Sequence, residues 1–479
     1  MNFKNKKILV VGLGTLGGGI ATVRWLLAHG AQVTVTDLRT RELLKDSVRA
    51  IGLRGRKIRF VFGRHEKEDF VSHDGVVVNP AVRIRGNTFL ARAKKKGIPI
   101  INDLGIFLNE VKNPVIAVTG TRGKTTTTNW IAHFLSGKYT GVKASGNSSR
   151  DALLELLPRI EKKKKIPAIL ELSSFQLECA ENTKRTPDIA IITNLFRDHL
   201  NRHGSMREYA RAKANIFKYQ TSRQILILNK DNAWTAYFLK TKPKSRIYFI
   251  SKEGKNMRNG LSVSSRGVFF FERGKKKMVF SPSIVDMIHR RGDHNVYNFL
   301  CAALAAYHAG ITWKDIATRA ENLPAIQYRQ EIVFKKNGIT VVNDTTATSP
   351  EGAIAAINRF GSFQTIFITG GTDKNLEYKE WATHVKKNIP PENLFFLGGS
   401  ATKKMIHALN KMRYFEKNRP AIFSDLRGVM RAVEKRMMRR DFFSTVVFSP
   451  GAASFEKFKN EFDRGEKFNA LVQKIFEEK

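Results

Sequence analysis

The sequence predicts an α/β chain of three domains, and three observations carry that expectation. Short apolar segments alternate with helix-length amphipathic runs along the whole of the 479 residues, the rhythm of strands joined by crossover helices. The segment Val115–Val118 runs into Gly120-Thr-Arg-Gly-Lys-Thr-Thr126 and then a helical stretch through Ile131 and Phe134, the order strand, glycine turn, helix start. An earlier apolar segment, residues 6–11, runs into a second glycine turn, Gly12-Leu-Gly-Thr-Leu-Gly17, with Asp37 about 20 positions on. The length prior agrees, since roughly 150 residues per domain suggests about three.

The first domain is expected over 1–112 and is Rossmann-like. After the glycine turn a helix runs through Trp25 to Ala28, and a strand from Gln32 to Thr36 ends in Asp37. Strands at Ile58–Phe62 and Gly75–Asn79 follow, and Ile98–Asp103 closes the domain. Alone, this turn suggests NAD, but it can hold any diphosphate at a helix N-terminus.

The central domain, 113–332, is a parallel-sheet, P-loop ATPase-like unit. Ala144–Ser148 reads as a loop, and Glu161–Lys165 as a solvated turn. Ala168–Glu171 and Ile189–Asn194 read as strands, Met206–Tyr219 as an amphipathic helix carrying Lys213, and Gln224–Asn229 and Ser245–Ile250 as further strands. Asp293–Asn298 opens a long Ala-rich helix, and the segment at Arg329 reads as a hinge.

The third domain, 333–479, is a second Rossmann-like unit, with strands at 340–344, Gln364–Thr369, Asn393–Leu397 and Thr445–Ser449. Gly370-Gly371 and Gly398-Gly399 mark strand carboxyl ends, the edge where ligands bind open parallel sheets.

Composition narrows the field. An apolar fraction of 42% supports packed cores. Two cysteines, Cys179 and Cys301, make neither a disulfide framework nor a zinc cluster and read as buried small hydrophobes in a reducing compartment. With no cleavable leader pattern and no run of 18 apolar residues, the expectation is a soluble cytoplasmic monomer without a membrane partner. The net charge of +41 invites a nucleic-acid reading, yet the basic residues are spread along the chain in short runs such as Lys162–Lys165 and Lys275–Lys277. No nucleic-acid module accompanies them, so a solvated basic surface and no nucleic-acid partner are expected.

The chemistry concentrates at the phosphate loop. Backbone N–H groups of Gly120, Thr121, Arg122 and Gly123 would cradle phosphate, Lys124 would reach its terminal oxygens, and the Thr125 hydroxyl would hold Mg²⁺, with Thr126 next in the helix. Magnesium takes hard oxygen ligands, and Glu171 at a buried strand end is the carboxylate expected beside it. Asp198 and His199 follow another strand end, a position suited to ligands.

These residues carry a resemblance. Gly120–Thr126, Glu171-Leu-Ser-Ser-Phe-Gln-Leu-Glu178, Asp198-His199, Ala212-Lys213 and His294-Asn295 together resemble the Mur ligase family. Asn343-Asp-Thr-Thr-Ala-Thr-Ser-Pro350, Gly370-Gly-Thr-Asp-Lys374, Ser449–Asn460 and Arg464-Gly465 are similar to its D-glutamate-adding branch. The match spans essentially the whole chain.

The resemblance implies an ATP-dependent amide ligase of peptidoglycan precursor synthesis, with ATP, UDP-N-acetylmuramoyl-L-alanine and D-glutamate as substrates. A carboxylate would attack the γ-phosphate, and the D-glutamate amine would displace phosphate from the acyl phosphate. Lys124, Lys213, His199 and Glu171 would be catalytic. Thr125, Glu171, His199 and a carbamylated Lys213 would hold two Mg²⁺ ions. Asn295, Arg329 and Asp344 would join the loop in binding ATP. Gly14, Thr15, Leu16, Asp37, Arg39, Asn79 and Asn147 would face the sugar nucleotide, and Thr348, Lys374 and Ser454 the D-glutamate carboxylates. The sequence departs from the family pattern in four places. Thr346 stands where relatives commonly carry lysine, and Glu461 where an aromatic usually packs, with Phe462 one place along. Tyr328 replaces a frequent histidine, and the Leu-Thr order in the first glycine turn is swapped. The alternatives are another amino-acid ligase of the superfamily, an NAD-dependent dehydrogenase fused to an ATPase, and a basic nucleic-acid-stimulated ATPase.

Overall fold

The computed structural model describes residues 2–15, 17–52, 58–146, 152–162, 165–180, 183, 185–254, 257–416, 419–437 and 445–476. Leu16 and Asn147, expected to face the sugar nucleotide, lie outside them. The chain divides into two compact units, Met1–Ile288 with Asn295–Leu323, and His289–His294 with Pro324–Lys479.

The first unit holds two sheets. One is wholly parallel in the order β3-β2-β1-β4-β5, from β1 (Lys7–Val11), β2 (Gln32–Asp37), β3 (Arg59–Phe62), β4 (Gly75–Val78) and β5 (Ile100–Ile101). The expected strand at Ile98–Asp103 shrinks to β5, because Asn102 is taken as a helix cap. Its side chain accepts from Gly105 N at 2.9 Å and starts the helix Asp103–Glu110.

The second sheet has nine strands in the order β14-β13-β12-β11-β10-β9-β6-β8-β7. They are β6 (Val115–Thr119), β7 (Ala144–Gly146), β8 (Ala168–Glu171), β9 (Ile189–Ile192), β10 (Ile225–Asn229), β11 (Arg246–Ser251), β12 (Gly260–Ser264), β13 (Gly267–Glu272) and β14 (Lys275–Phe280). Every residue of β6, β8, β9 and β10 is buried, as unbroken apolar runs in a parallel sheet require.

Three differences from expectation have local causes. Ala144–Gly146 is an edge strand beside β8, and it lacks the apolar pattern that marks the interior strands. The helix through Lys213 ends at Ala214, where the Asn215 carboxamide turns to donate to Leu177 O at 2.9 Å. Finally, β12 joins the sheet parallel to β11, β13 and β14 extend it in antiparallel fashion, and Lys275, Lys276 and Lys277 of β14 are exposed.

The two sheets share one core. Ile8 and Val10 of the first belong to the same buried cluster as Ala117 and Leu170 of the second, bridged by Phe107 and by Leu153 and Leu157 of the helix Leu153–Glu161. The cysteines are buried, as expected, and burial pushes both thiols up to about 12. No helix is long and apolar enough to cross a membrane among the described residues.

The second unit is a six-stranded sheet ordered β15-β16-β20-β17-β18-β19 and clad on both faces. Its strands are β15 (Glu331–Lys336), β16 (Ile339–Asn343), β17 (Thr365–Thr369), β18 (Leu394–Leu397), β19 (Ala421–Phe423) and β20 (Thr445–Phe448), with β15 alone antiparallel to its neighbour. Alternate residues serve opposite faces: Val342, Phe367 and Val447 pack with Trp381 and Met405, while Val341, Ile366 and Val446 pack with Val429 and Phe468.

Candidate active site

The phosphate loop sits where three strands end together, since Val118 is in register with Glu171 of β8 and Thr119 with Ile192 of β9. Two glycines are required there. Gly120 has φ 154°, and a Cβ on it would lie 1.9 Å from Thr193 Oγ1. Gly123 has φ 83°, with Asn298 Oδ1 2.1 Å from the same virtual atom. The loop is braced from β9: Arg122 N donates to Asn194 Oδ1 at 2.9 Å, and Thr193 Oγ1 donates to Arg122 O at 2.6 Å. The helix Lys124–Leu135 then begins, placing Thr125 and Thr126 in its first turn with the dipole favouring an anion.

Lys124 Nζ donates to Gly120 O and Thr121 O, both at 3.2 Å. Lys213, only 1% exposed, donates from the helix Met206–Ala214 to the same Gly120 carbonyl at 2.9 Å and to Thr119 Oγ1 at 3.2 Å. Its ammonium also lies 4.7 Å over the Tyr209 ring. Burial, reinforced by Lys124, pulls the Lys213 pKa well below the usual lysine value, against the attraction of Asp198 and Glu171. The two lysines and the two carboxylates therefore form one electrostatic group at the sheet edge. Glu171 and Asp198 are both buried.

His199 adopts a left-handed φ of 54° and caps the short helix Leu200–His203. Its Nε2 is 3.7 Å from Asp198 Oδ2, and Asp198 Oδ2 is 3.6 Å from Arg122 Nη2. Among the described residues no three His, Cys, Asp or Glu side chains converge on a metal position. Magnesium is usually held by one or two carboxylates with substrate phosphates and water rather than by an all-protein cage. Glu171 and the Thr125 hydroxyl supply such hard oxygen donors beside the loop.

The first glycine turn gathers most of its expected residues. Gly14 N donates to Asp37 Oδ2 at 3.1 Å, and Arg39 N to Asp37 Oδ1 at 2.9 Å. Asn79 Nδ2 is 3.4 Å, and Arg39 Nη1 3.9 Å, from the Cβ position of Gly14. Thr15 is exposed beside them. Asn295, at the start of the helix Asn295–His308, accepts from Asn298 Nδ2 at 2.9 Å, so it stands by the phosphate loop through Asn298.

In the second unit, Lys374 Nζ donates to Thr348 Oγ1 at 3.3 Å. Ser454 is buried, and its Oγ has no hydrogen-bond partner among the described residues. It lines a small cleft with Gly371, Gly398, Lys457 and Arg464, which Lys374 and Thr348 do not line. Burial pushes the Asp344 carboxyl up to about 7, against donation from Ser449 Oγ at 2.7 Å and from Gln330 N at 3.1 Å. Arg329 is half-buried within the same unit. Thr346 is committed to the backbone, donating to Tyr328 O at 2.7 Å, and Tyr328 itself has a left-handed φ of 63°.

Sequence reasoning missed several supports. Asn298 lies three residues after Asn295 on the same helix face, a spacing that could have flagged it. Arg464, fully buried, donates to the carbonyls of Thr345, Ala452 and Ala453. Only its place in a motif marked it.

A phosphate-type loop on a parallel sheet, joined to a βαβ unit with a second glycine turn and followed by a further α/β unit, is an arrangement suited to a nucleotide-consuming enzyme. Comparison with known proteins narrows the class. Residues 118–306 match the Mur ligase middle domain, and residues 6–102 match the Mur ligase MurD-like N-terminal domain. The UDP-N-acetylmuramoylalanine--D-glutamate ligase of Borreliella afzelii is 34% identical over 477 residues, covering 98% of each chain. The ligase of the same name from Roseiflexus sp. is 34% identical, covering 99% of each. Among solved structures, the UDP-N-acetylmuramate-alanine ligase of Thermotoga maritima aligns with a TM-score of 0.55 at 20% identity, covering 98% of this chain and 100% of that one. MurF from Acinetobacter baumannii aligns at 0.58 and 16% identity, covering 98% and 91%. These two establish likeness of fold alone. The chain belongs to the Mur ligase family. It is an ATP-dependent ligase, and its expected α/β fold holds.

Proposed function

We propose that this ligase joins D-glutamate to the L-alanyl carboxylate of UDP-N-acetylmuramoyl-L-alanine, releasing ADP and phosphate, as a cytoplasmic monomer in peptidoglycan precursor synthesis. The observation that carries the reading is the burial of Lys213 against the phosphate-loop carbonyl that also receives Lys124, with Glu171 and Asp198 as the opposing charges. A site that handles an anionic donor and an anionic acceptor needs cations and metal ligands gathered at one strand edge.

The roles divide by element. Gly120, Thr121, Arg122, Gly123, Thr125 and Thr126 hold the triphosphate, with Asn295, Arg329 and Asp344 serving the rest of ATP. Lys124 neutralises the transferring phosphoryl group. Thr125 and Glu171 would hold magnesium, which would supply charge neutralisation at the phosphates, and His199 and Lys213 would hold a second ion. Carbamylation suits Lys213: among the described residues the side chain is buried without a carboxylate as hydrogen-bond acceptor, and burial favours the neutral amine that reacts with carbon dioxide. Gly14, Thr15, Asp37, Arg39 and Asn79 receive the sugar nucleotide. Thr348, Lys374 and Ser454 receive D-glutamate, for which the Ser454 hydroxyl, without a partner among the described residues, is a ready donor. The functional domains are taken as 1–112, 113–332 and 333–479.

Phosphate release from ATP, measured with UDP-N-acetylmuramoyl-L-alanine and a panel of amino acids, tests the proposal. Release is expected with D-glutamate only. Lys213→Ala should lower turnover by at least roughly 10²-fold, without rescue by bicarbonate. Release with a different amino acid would move the chain to another branch of the family, and undiminished turnover of the variant would remove the role given to Lys213.

A further inference from the structure

Arg202 lies just beyond His199, in the short helix Leu200–His203, and its side chain is 9% exposed. Its Nη1 donates to Ala81 O at 2.9 Å, and its Nη2 to Pro80 O at 3.1 Å and Val82 O at 2.8 Å. Nε and Nη2 also donate to Glu178 Oε2 at 3.2 and 2.7 Å, and the guanidinium lies 4.7 Å over the Phe175 ring. Three consecutive carbonyls thus converge on one side chain. Only the planar fork of arginine, with five N–H groups fixed in direction, can meet them and a carboxylate together.

Those carbonyls belong to the loop after β4, which presents Asn79 to the first glycine turn. Ala81 N donates to Asn79 Oδ1 at 3.0 Å, and Val82 N to Asn79 O at 2.9 Å. Val82 also abuts Gly12, with its Cγ2 2.8 Å from that residue's Cβ position. Towards the phosphate loop the contacts continue without a break. Glu178 Oε1 meets His203 Nδ1 at 3.1 Å, and His203 Nε2 lies 3.0 Å from Ser174 Oγ. The Phe175 ring is 5.0 Å from His199, and the His203 ring stacks on Tyr209 at 5.0 Å. The Tyr209 hydroxyl lies 3.3 Å from Thr121 Oγ1 in the phosphate loop.

We propose that Arg202 is a positioning residue that locks the 80–82 loop, and with it the bound sugar nucleotide, against the phosphoryl-transfer centre. It touches neither substrate. It sets where the acceptor carboxylate arrives relative to the γ-phosphate, which rests on the reaction proposed above. A lysine in its place retains the charge but can follow only part of the three-carbonyl turn.

The test compares wild type with Arg202→Lys. In steady-state phosphate release the variant should show a KM for the sugar nucleotide raised about tenfold and kcat lowered about tenfold, as misplacement of a reactant predicts. The Kd for a non-hydrolysable ATP analogue should stay within about twofold, because the phosphate loop keeps its own braces. Hydrogen exchange supplies a readout independent of turnover: the amides of Asn79, Ala81 and Val82 should exchange faster in the variant, while those of 120–126 do not. Equal protection of the Asn79, Ala81 and Val82 amides, wild-type KM and kcat, or parallel loss of ATP affinity would each overturn the proposal. If wild type itself releases no phosphate with these substrates, the assigned reaction fails, and the exchange measurement still decides whether Arg202 locks the loop. Assays run below the melting temperature of the variant, so that unfolding does not mimic the effect.

Discussion

At the scale of single residues, the site depends on positions where a side chain is forbidden as much as on those where one is needed. Gly123 combines a left-handed backbone with Asn298 Oδ1 at 2.1 Å from its Cβ position. Gly123→Ala should therefore destabilise the protein by about 1–3 kcal/mol and weaken binding of an ATP analogue, read by thermal melting and calorimetry. Unchanged binding in the variant would contradict the tight approach. Much of this was legible in the sequence, because Lys124, Thr125 and the two glycines stand in a local pattern whose geometry follows from spacing. Glu171 was legible from its place at the end of a buried strand, whereas Lys213 was legible only through resemblance, since nothing in an Ala-Lys pair signals a buried ammonium. Arg202 left no sequence signal at all. Its partners are carbonyls, which every residue carries.

At the scale of elements, the buried strands announced themselves as unbroken apolar runs: Val115–Thr119, Ala168–Glu171 and Ile225–Asn229 lie within a residue or two of expectation. What escaped was structure decided by neighbours. Ala144–Gly146 is a strand only because Ala168–Glu171 offers it a free edge. Ile98–Asp103 is split because Asn102 serves two elements. That residue is fully buried, caps the helix Asp103–Glu110 and donates to Gln176 O at 2.7 Å. Asn102→Ala should cost about 1–3 kcal/mol, the sum of a lost cap and a buried carbonyl left unpaired, measured by denaturant titration. A change within error would mean that the cap is replaceable there.

At the scale of the whole molecule, the charge of +41 is the dominant fact. Self-repulsion of that size opposes the folded state and is screened by salt. Raising NaCl from about 0.01 to 0.15 M shortens the screening length from roughly 30 to 8 Å. The melting temperature should then rise by about 1 °C, as a gain of about 1 kcal/mol implies when the unfolding entropy of about 2.1 cal/mol/K per residue is carried over 479 residues. A fall with salt would show that attractive ion pairs outweigh the repulsion.

The antiparallel margin of the nine-stranded sheet has a consequence of its own. A border strand carries unused backbone donors and acceptors along its rim, an invitation for copies to zip together into fibres. Because Lys275, Lys276 and Lys277 occupy that rim, two copies approaching margin to margin bring like charges together before any amide can pair. Such a margin disfavours edge-to-edge pairing of copies while leaving the sheet wide.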